Sequence, residues 1–263
     1  MGNILAIVNN KGGVGKTTVA CNVSHAFARF GKDTLVVDLD SQCNTTSTFS
    51  QTKETDNTVY ELLDGSESSL SDCVYPTRYV KLSLMPCVPE CAALESDLAR
   101  RSDKGFPILR SRFRDYAIRN FDCTIIDCPP NLGVFSIQGM VCADYIVIPI
   151  ECGSRYATEG LERTISTIEE VRKHLNPTLK DIRLLFTKVD KRTSISRIIM
   201  QQVRQLFGKT MLDTIIPTNT TIQQAEMVRD TIIGFSPKST GAKQFLMLAE
   251  EFLEIFRNGD SRG

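Results

Sequence analysis

No net charge, no paired-cysteine motif and no long hydrophobic run mark this 263-residue chain. Each absence removes a class of function. Lysine plus arginine number 31 and aspartate plus glutamate 31, so no global excess of positive charge points to nucleic acid. The nine cysteines are an odd number without a C-x-x-C pair; Cys87 and Cys91 are four positions apart, Cys123 and Cys128 five. Zinc and dithiol redox motifs need closer pairs, so no metal cluster is expected. Cys123, Cys128 and Cys142 lie in apolar stretches, where a thiol acts as a small hydrophobe, and a reduced cytosolic compartment suits all nine. No segment approaches the ~20 apolar residues of a transmembrane helix. The N-terminal apolar run is short and leads straight into a polar loop, so no signal peptide is expected.

What remains is globular. With 41% hydrophobic and 24% charged residues the chain is long enough to bury a large core. Its charge is uneven: positions 172–209 carry ten Lys or Arg against two Asp, whereas 38–72 carry eight acids against one Lys. A basic face on the second half is one reading of this, and solvated helix faces are the other.

Short apolar runs alternate with helical stretches. Strands are expected at Ile4–Val8, Thr34–Asp38, Leu82–Met85, within Cys123–Pro130 up to its double proline, and at Asp144–Ile150, Ile182–Thr187 and Met211–Ile215. Helices are expected at Lys16–Phe30, closed by Gly31, and at Glu90–Arg101, Pro107–Asn120, Tyr156–His174, Ser194–Phe207 and Ala242–Arg257. Strands apolar on both faces with helices between them predict an α/β fold: a mostly parallel twisted sheet covered by helices on both faces. Without a repeat or linker, residues 1–263 read as a single domain. Ser41–Ser71, rich in Ser, Thr, Asn and Asp, is the least ordered candidate.

The first strand opens into "NNKGGVGKTT", Asn9 to Thr18. Glycines between a strand and a helix let backbone N–H groups turn inward around phosphate oxygens, and the helix N-terminus adds positive partial charge. Gly12, Gly13, Val14, Gly15, Lys16, Thr17 and Thr18 are therefore candidate nucleotide-binding residues. Lys16 supplies the charge for the terminal phosphates, and the Thr17 hydroxyl is placed to ligate Mg²⁺. The general pattern G-x-x-x-x-G-K-[ST] fails at its first position, where Asn10 stands, and a second lysine, Lys11, precedes the glycines. Three acids end strands on the same edge of the sheet. Asp127 closes "TIIDCPP", the usual place for an acid that holds Mg²⁺ through water, and Asp38 and Asp40 close "LVVDLD". Alternation puts Asp38 and Asp40 on one side, one to tune the metal shell and one to orient an attacking water.

The lysine before the glycine pair resembles the deviant Walker A motif of the ParA/MinD family of ATPases. The likeness continues through "VVDLDSQCNTTSTF", "FDCTIIDCPPNLG", "ADYIVIPIECGSRYATEGL", "DKRTSIS", "IIPTN" and "SPKSTGAKQF", nearly the whole chain, and "DCPPNLG" with "ATEGL" is similar to the Soj-like ParA branch. The resemblance implies ATP and Mg²⁺ as cofactors. It implies that Lys16 binds phosphate in its own subunit and that Lys11 reaches across an ATP-dependent homodimer. Lys11, Lys16 and Asp40 then carry catalysis, Asp127 is the Walker B acid, and Pro217 and Asn219 hold the adenine base. It further implies slow hydrolysis stimulated by a ParB-like centromere-binding protein, nonspecific DNA as a track for chromosome or plasmid partition, and a cytoplasmic, nucleoid-associated location.

One segment departs from that family. Where members read I-P-R-N-x-R-L-S-E-A, this chain reads "IPTNTTIQQA", with Thr218 and Thr221 at both arginine positions. Each lost phosphate contact weakens nonspecific DNA binding. Lys188, Lys191, Arg192, Arg197 and Lys238 are the candidates to compensate. Two alternatives stay open: positioning of a protein cargo, and a membrane-cycling ATPase of the MinD type. The second needs a basic amphipathic C-terminal helix. The one present has Phe245, Leu248, Phe252 and Phe256 on one stripe and Glu250, Glu251 and Glu254 on its polar side, which favours core packing and no membrane contact.

Overall fold

The structure is a computed structural model and describes residues 1–52, 56–66, 69–101, 107–152, 157–190 and 192–260, without the side chains of 157–159 and 260. Its strands are β1 (Asn3–Ile7), β2 (Thr34–Asp38), β3 (Tyr75–Pro76), β4 (Leu82–Met85), β5 (Cys123–Asp127), β6 (Tyr145–Glu151) and β7 (Asp181–Thr187). They form one sheet in the order β3-β4-β2-β5-β1-β6-β7, parallel throughout except for the short β3. This is the mostly parallel α/β sheet that the alternating pattern predicts.

Alternation along β1 shows why the sheet needs cover on both faces. Ile4, Ala6 and Val8 enter one core and Leu5 and Ile7 the other, all within 1% of full burial. The helices are α1 (Lys16–Arg29), α2 (Asn44–Phe49), α3 (Val59–Asp64), α4 (Cys91–Arg100), α5 (Ile108–Asn120), α6 (Val134–Cys142), α7 (Ala157–His174), α8 (Ser194–Phe207), α9 (Thr220–Met227), α10 (Ile232–Phe235) and α11 (Thr240–Asp260). Helices α3 to α8 pack on the first face; α1, α9, α10 and α11, with Phe49 of α2, pack on the second. Phe245, Leu248, Phe252 and Phe256 of α11 are buried against α1, with Phe27 and Phe256 rings 6.0 Å apart. The C-terminal stripe is therefore core, and no described helix is long and apolar enough to cross a membrane.

Two expectations change. Met211–Ile215 is not a strand: only single bridges join Leu184 to Met211 and Val189 to Pro217. The cause lies on α11, where the Glu251 carboxylate accepts from the backbone N–H of Asp213 (2.7 Å) and Thr214 (3.0 Å) and takes both out of any ladder. The polar stretch Ser41–Ser71 contains α2 and α3, although 53–55 and 67–68 lie outside the described residues. A reciprocal capping box between Thr58 and Glu61 starts α3. Helix α6 adds an element in an apolar segment for which none was expected. Its Gly139 packs so closely on β5 that an added Cβ would stand 2.6 Å from Cys128 Sγ.

Candidate functional site

β1 lies between β5 and β6, and its carboxyl end is where chain connections diverge to the two halves of the sheet. Open α/β sheets leave a crevice at such a point. Here it is a cavity of about 420 Å³. Its floor is the loop after β1, including Gly12, Gly13, Gly15, Lys16, Thr17 and Thr18, and its sides carry Asp40, Gln42 and Asn44. The far wall is Ile216, Pro217, Ile222 and Phe245, interleaved with the polar Thr218, Asn219, Gln223 and Glu226. A glycine-rich pole carrying Lys16 and a pole with apolar side chains thus share one cavity.

The loop is held by bonds to two strands and by one bond within itself. Gly13 and Gly15 adopt φ of 74° and 89°, the left-handed region where glycine meets no Cβ penalty. Thr187 Oγ1 at the end of β7 donates to the Val14 carbonyl (2.8 Å). Asn9 Nδ2 donates to the Pro149 carbonyl of β6 (2.7 Å), and its Oδ1 accepts from the Lys11 N–H (2.9 Å). Asn9 and Thr187 are positioning residues that sequence reasoning passed over; their signal was a polar side chain at the carboxyl end of an apolar strand. Asn10 abuts α7, where a Cβ on Gly160 would lie 3.1 Å from its Oδ1.

The two lysines differ in surroundings. Lys16 is 7% exposed; its Nζ donates to the Lys11 carbonyl (3.0 Å), and burial lowers its pKa against the opposing charges of Asp127 and Asp40. The Lys11 ammonium is turned away from it and pairs with Glu151 at 3.3 Å, with its side chain 35% exposed.

The acids fall into a front and a back row. Asp40 lines the cavity, and its Oδ1 accepts from the Gln42 N–H (3.0 Å). Asp127 is fully buried; Oδ2 accepts from Thr45 (2.8 Å), and Oδ1 has no hydrogen-bond partner among the described residues. Asp38 stands behind, in register with Asp127 across β2 and β5. Its oxygens accept from the N–H (2.8 Å) and hydroxyl (2.7 Å) of Thr46 and from the Asp40 N–H (3.0 Å), and it does not reach the cavity wall. The expectation that Asp38 and Asp40 would both face the site is thus not what the geometry gives, because Thr46 draws Asp38 inward. Burial raises Asp38 to about 7, helped by the Asp127 charge. It also raises Asp127, to about 6, against the Thr45 and Thr17 hydroxyls. Among the described residues no group of three or more His, Cys, Asp or Glu could hold a metal ion. The orphaned Asp127 Oδ1 beside the Thr17 hydroxyl is a hard-oxygen pair of the kind that takes Mg²⁺ together with substrate oxygens and water.

Asn219 and Pro217 lie in the far wall, where Asn219 also caps α9 through the Thr221 N–H (2.8 Å). The basic candidates scatter. Lys188, at φ 50°, lines the cavity instead of an outer face. Arg192 is 90% exposed and bound to Asp190 at 2.9 Å; Arg197 on α8 and Lys238 before α11 are exposed. Lys191 lies outside the described residues.

Residues 2–181 match the family model described as an AAA domain. Over 252 residues the chain is 35% identical to the sporulation initiation inhibitor protein Soj of Bacillus subtilis, covering 95% of this chain and 98% of that protein. It belongs to the ParA/MinD family of ATPases. The chromosome-partitioning ATPase Soj of Thermus thermophilus is 36% identical over 95% of this chain and 94% of its own length, which places the chain on the Soj-like ParA branch. Among solved structures, a cobyrinic acid a,c-diamide synthase from Mycobacterium smegmatis with bound ADP and magnesium superposes with a TM-score of 0.82. It is 28% identical and covers 98% of this chain and 97% of that one. The ParA/MinD chain described here thus joins a two-lysine loop and a strand-end acid pair to one two-poled cavity.

Proposed function

We propose that this chain is an ATPase that dimerises on ATP, holds nonspecific DNA as the dimer and releases it when a ParB-like centromere-binding partner stimulates hydrolysis, so partitioning a chromosome or plasmid. One observation carries the reading. Lys16 engages the backbone of Lys11, not its charge, and leaves the Lys11 ammonium at the protein surface on Glu151. A buried lysine serves a nucleotide in its own chain, and a surface lysine on the same loop serves a nucleotide in another.

The roles follow from placement. The N–H groups of Gly12 to Thr18 and the Lys16 ammonium hold the phosphates, and Pro217, Asn219 and Phe245 hold the base at the far wall. Thr17 and Asp127 are the residues that would hold Mg²⁺, with Asp38 shaping the pair from behind; the ion supplies charge neutralisation at the phosphate oxygens. Asp40, at the cavity edge, orients the attacking water. Such chemistry rests on positioning and charge, so removing Asp40 leaves binding and removes turnover. Residues 1–263 act in this scheme as one ATPase domain.

The names of the relatives favour chromosome partition as the task. Thr218 and Thr221 favour a second reading, the positioning of a protein cargo, because two family arginines are missing, one of them at the cavity wall. The deciding experiment measures DNA binding with ATP, with ADP and without nucleotide at two salt concentrations. Salt-sensitive binding with ATP alone supports the DNA track. Its absence, with ATP-driven dimerisation intact, moves the account to a protein cargo.

A further inference from the structure

Of the nine cysteines, eight are buried and Cys43 is half-buried. Cys43 stands between Gln42 and Asn44, two residues of the cavity wall, three positions after Asp40. Its backbone is set by the Asp40 carbonyl, which accepts from the Cys43 N–H at 2.8 Å, and it holds φ at 54°, a conformation that side chains rarely adopt. The thiol of Cys87, just beyond β4, neighbours the thiols of both Cys43 and Cys91. The backbone brings the two segments together independently: the Cys87 N–H donates to Thr46 Oγ1 at 2.9 Å, and Thr46 in turn binds Asp38. Three thiols thus meet behind the cavity wall, with Cys43 as their way out to solvent.

We propose that Cys43 and Cys87 are a modification site, oxidised by a low-molecular-weight disulfide to one intramolecular disulfide that fastens the Asp40–Asn44 wall to the end of β4. The half-buried Cys43, as its thiolate, attacks one sulfur of the small disulfide and expels one thiolate. Cys87 then attacks the Cys43 sulfur of the mixed disulfide and expels the second. Two protein thiols give up two electrons and two protons, one disulfide bond forms, and the small disulfide leaves as two thiols. Hydrogen bonds to Cys43 and Cys91, together with burial, push the Cys87 thiol well up, so the attack by Cys87 is the slow step, and the expelled small thiolate takes the Cys87 proton. The consequence for turnover rests on the nucleotide reading above: a wall tied at Cys43 restricts the adjustment of Asp40 and Gln42 around the phosphates.

The test treats the full chain with glutathione disulfide, maps linked peptides by mass spectrometry, and measures ATPase activity before oxidation, after it, and after dithiothreitol. The expected result is a Cys43–Cys87 cross-link with ATPase activity falling on the order of tenfold and returning on reduction. Cys43→Ser and, separately, Cys87→Ala should abolish the cross-link, and Cys43→Ser should keep its activity through the treatment. A Cys87–Cys91 link, glutathione retained on Cys43, or equal inactivation of Cys43→Ser overturns the proposal. The mass readout needs no turnover, so a chain that forms the cross-link but never hydrolyses ATP would contradict the proposed function and leave the site standing.

Discussion

Lys16 Nζ donates to the carbonyl oxygen of Lys11 at 3.0 Å, so the two lysines of the loop are joined through the backbone while their charges serve different places. A side-chain change at Lys11 therefore leaves the partner of Lys16 in place. Lys11→Gln should bind ATP as a monomer within about threefold of the unaltered chain, a change under ~1 kcal/mol. Lys16→Gln should lose binding by at least about a hundredfold. Calorimetric titration separates the two; equal losses would deny the division of labour.

Asp40 lies at the cavity edge and takes no part in holding the loop. Asp40→Ala should keep ATP affinity and fold, and lower single-turnover hydrolysis by roughly two to three orders of magnitude. Hydrolysis at an ordinary rate in this variant would shift the water-orienting role elsewhere.

Asp38 and Asp127 both have pKa values raised by burial, to about 7 and about 6, from an ordinary 3.8. The folded chain therefore keeps protons that the unfolded chain has lost, and the associated stability is present in full below about pH 4 and disappears as pH rises through 6 and 7. In metal-free buffer Tm should fall between pH 5.5 and pH 8, and Asp38→Asn should flatten that fall. Magnesium with ADP should raise Tm more at pH 8 than at pH 5.5. A Tm rising with pH over this range would reverse the sign.

Gly139→Ala places a methyl group 2.6 Å from Cys128 Sγ and close to Ile126 and Leu39. Overpacking of this kind costs about 1–3 kcal/mol. Adding Cys128→Ala should recover part of the loss, measured by denaturant midpoint at unchanged slope. Independent, additive losses would mean that the two sites do not touch.

Much of this layout was legible in the chain. β2 and β4 fall on the residues expected, as does α8, because apolar runs bounded by turn residues carry both type and limits. The loop, its two lysines and the acids at strand ends were legible from spacing alone. What was not legible depended on partners distant in sequence. Glu251 dissolves the strand expected at Met211–Ile215, Thr46 withdraws Asp38 from the cavity, and Thr187 reaches back 173 positions to hold Val14. Helix α6 lies in an apolar segment for which none was expected, and α3 was missed although its Thr58-x-x-Glu61 box is readable.

The most direct test is sedimentation of Asp40→Ala with ATP and magnesium, beside the double variant Asp40→Ala with Lys11→Gln. The account predicts a dimer for the first and an ATP-bound monomer for the second. A double variant that still sediments as a full dimer would contradict the role given to Lys11.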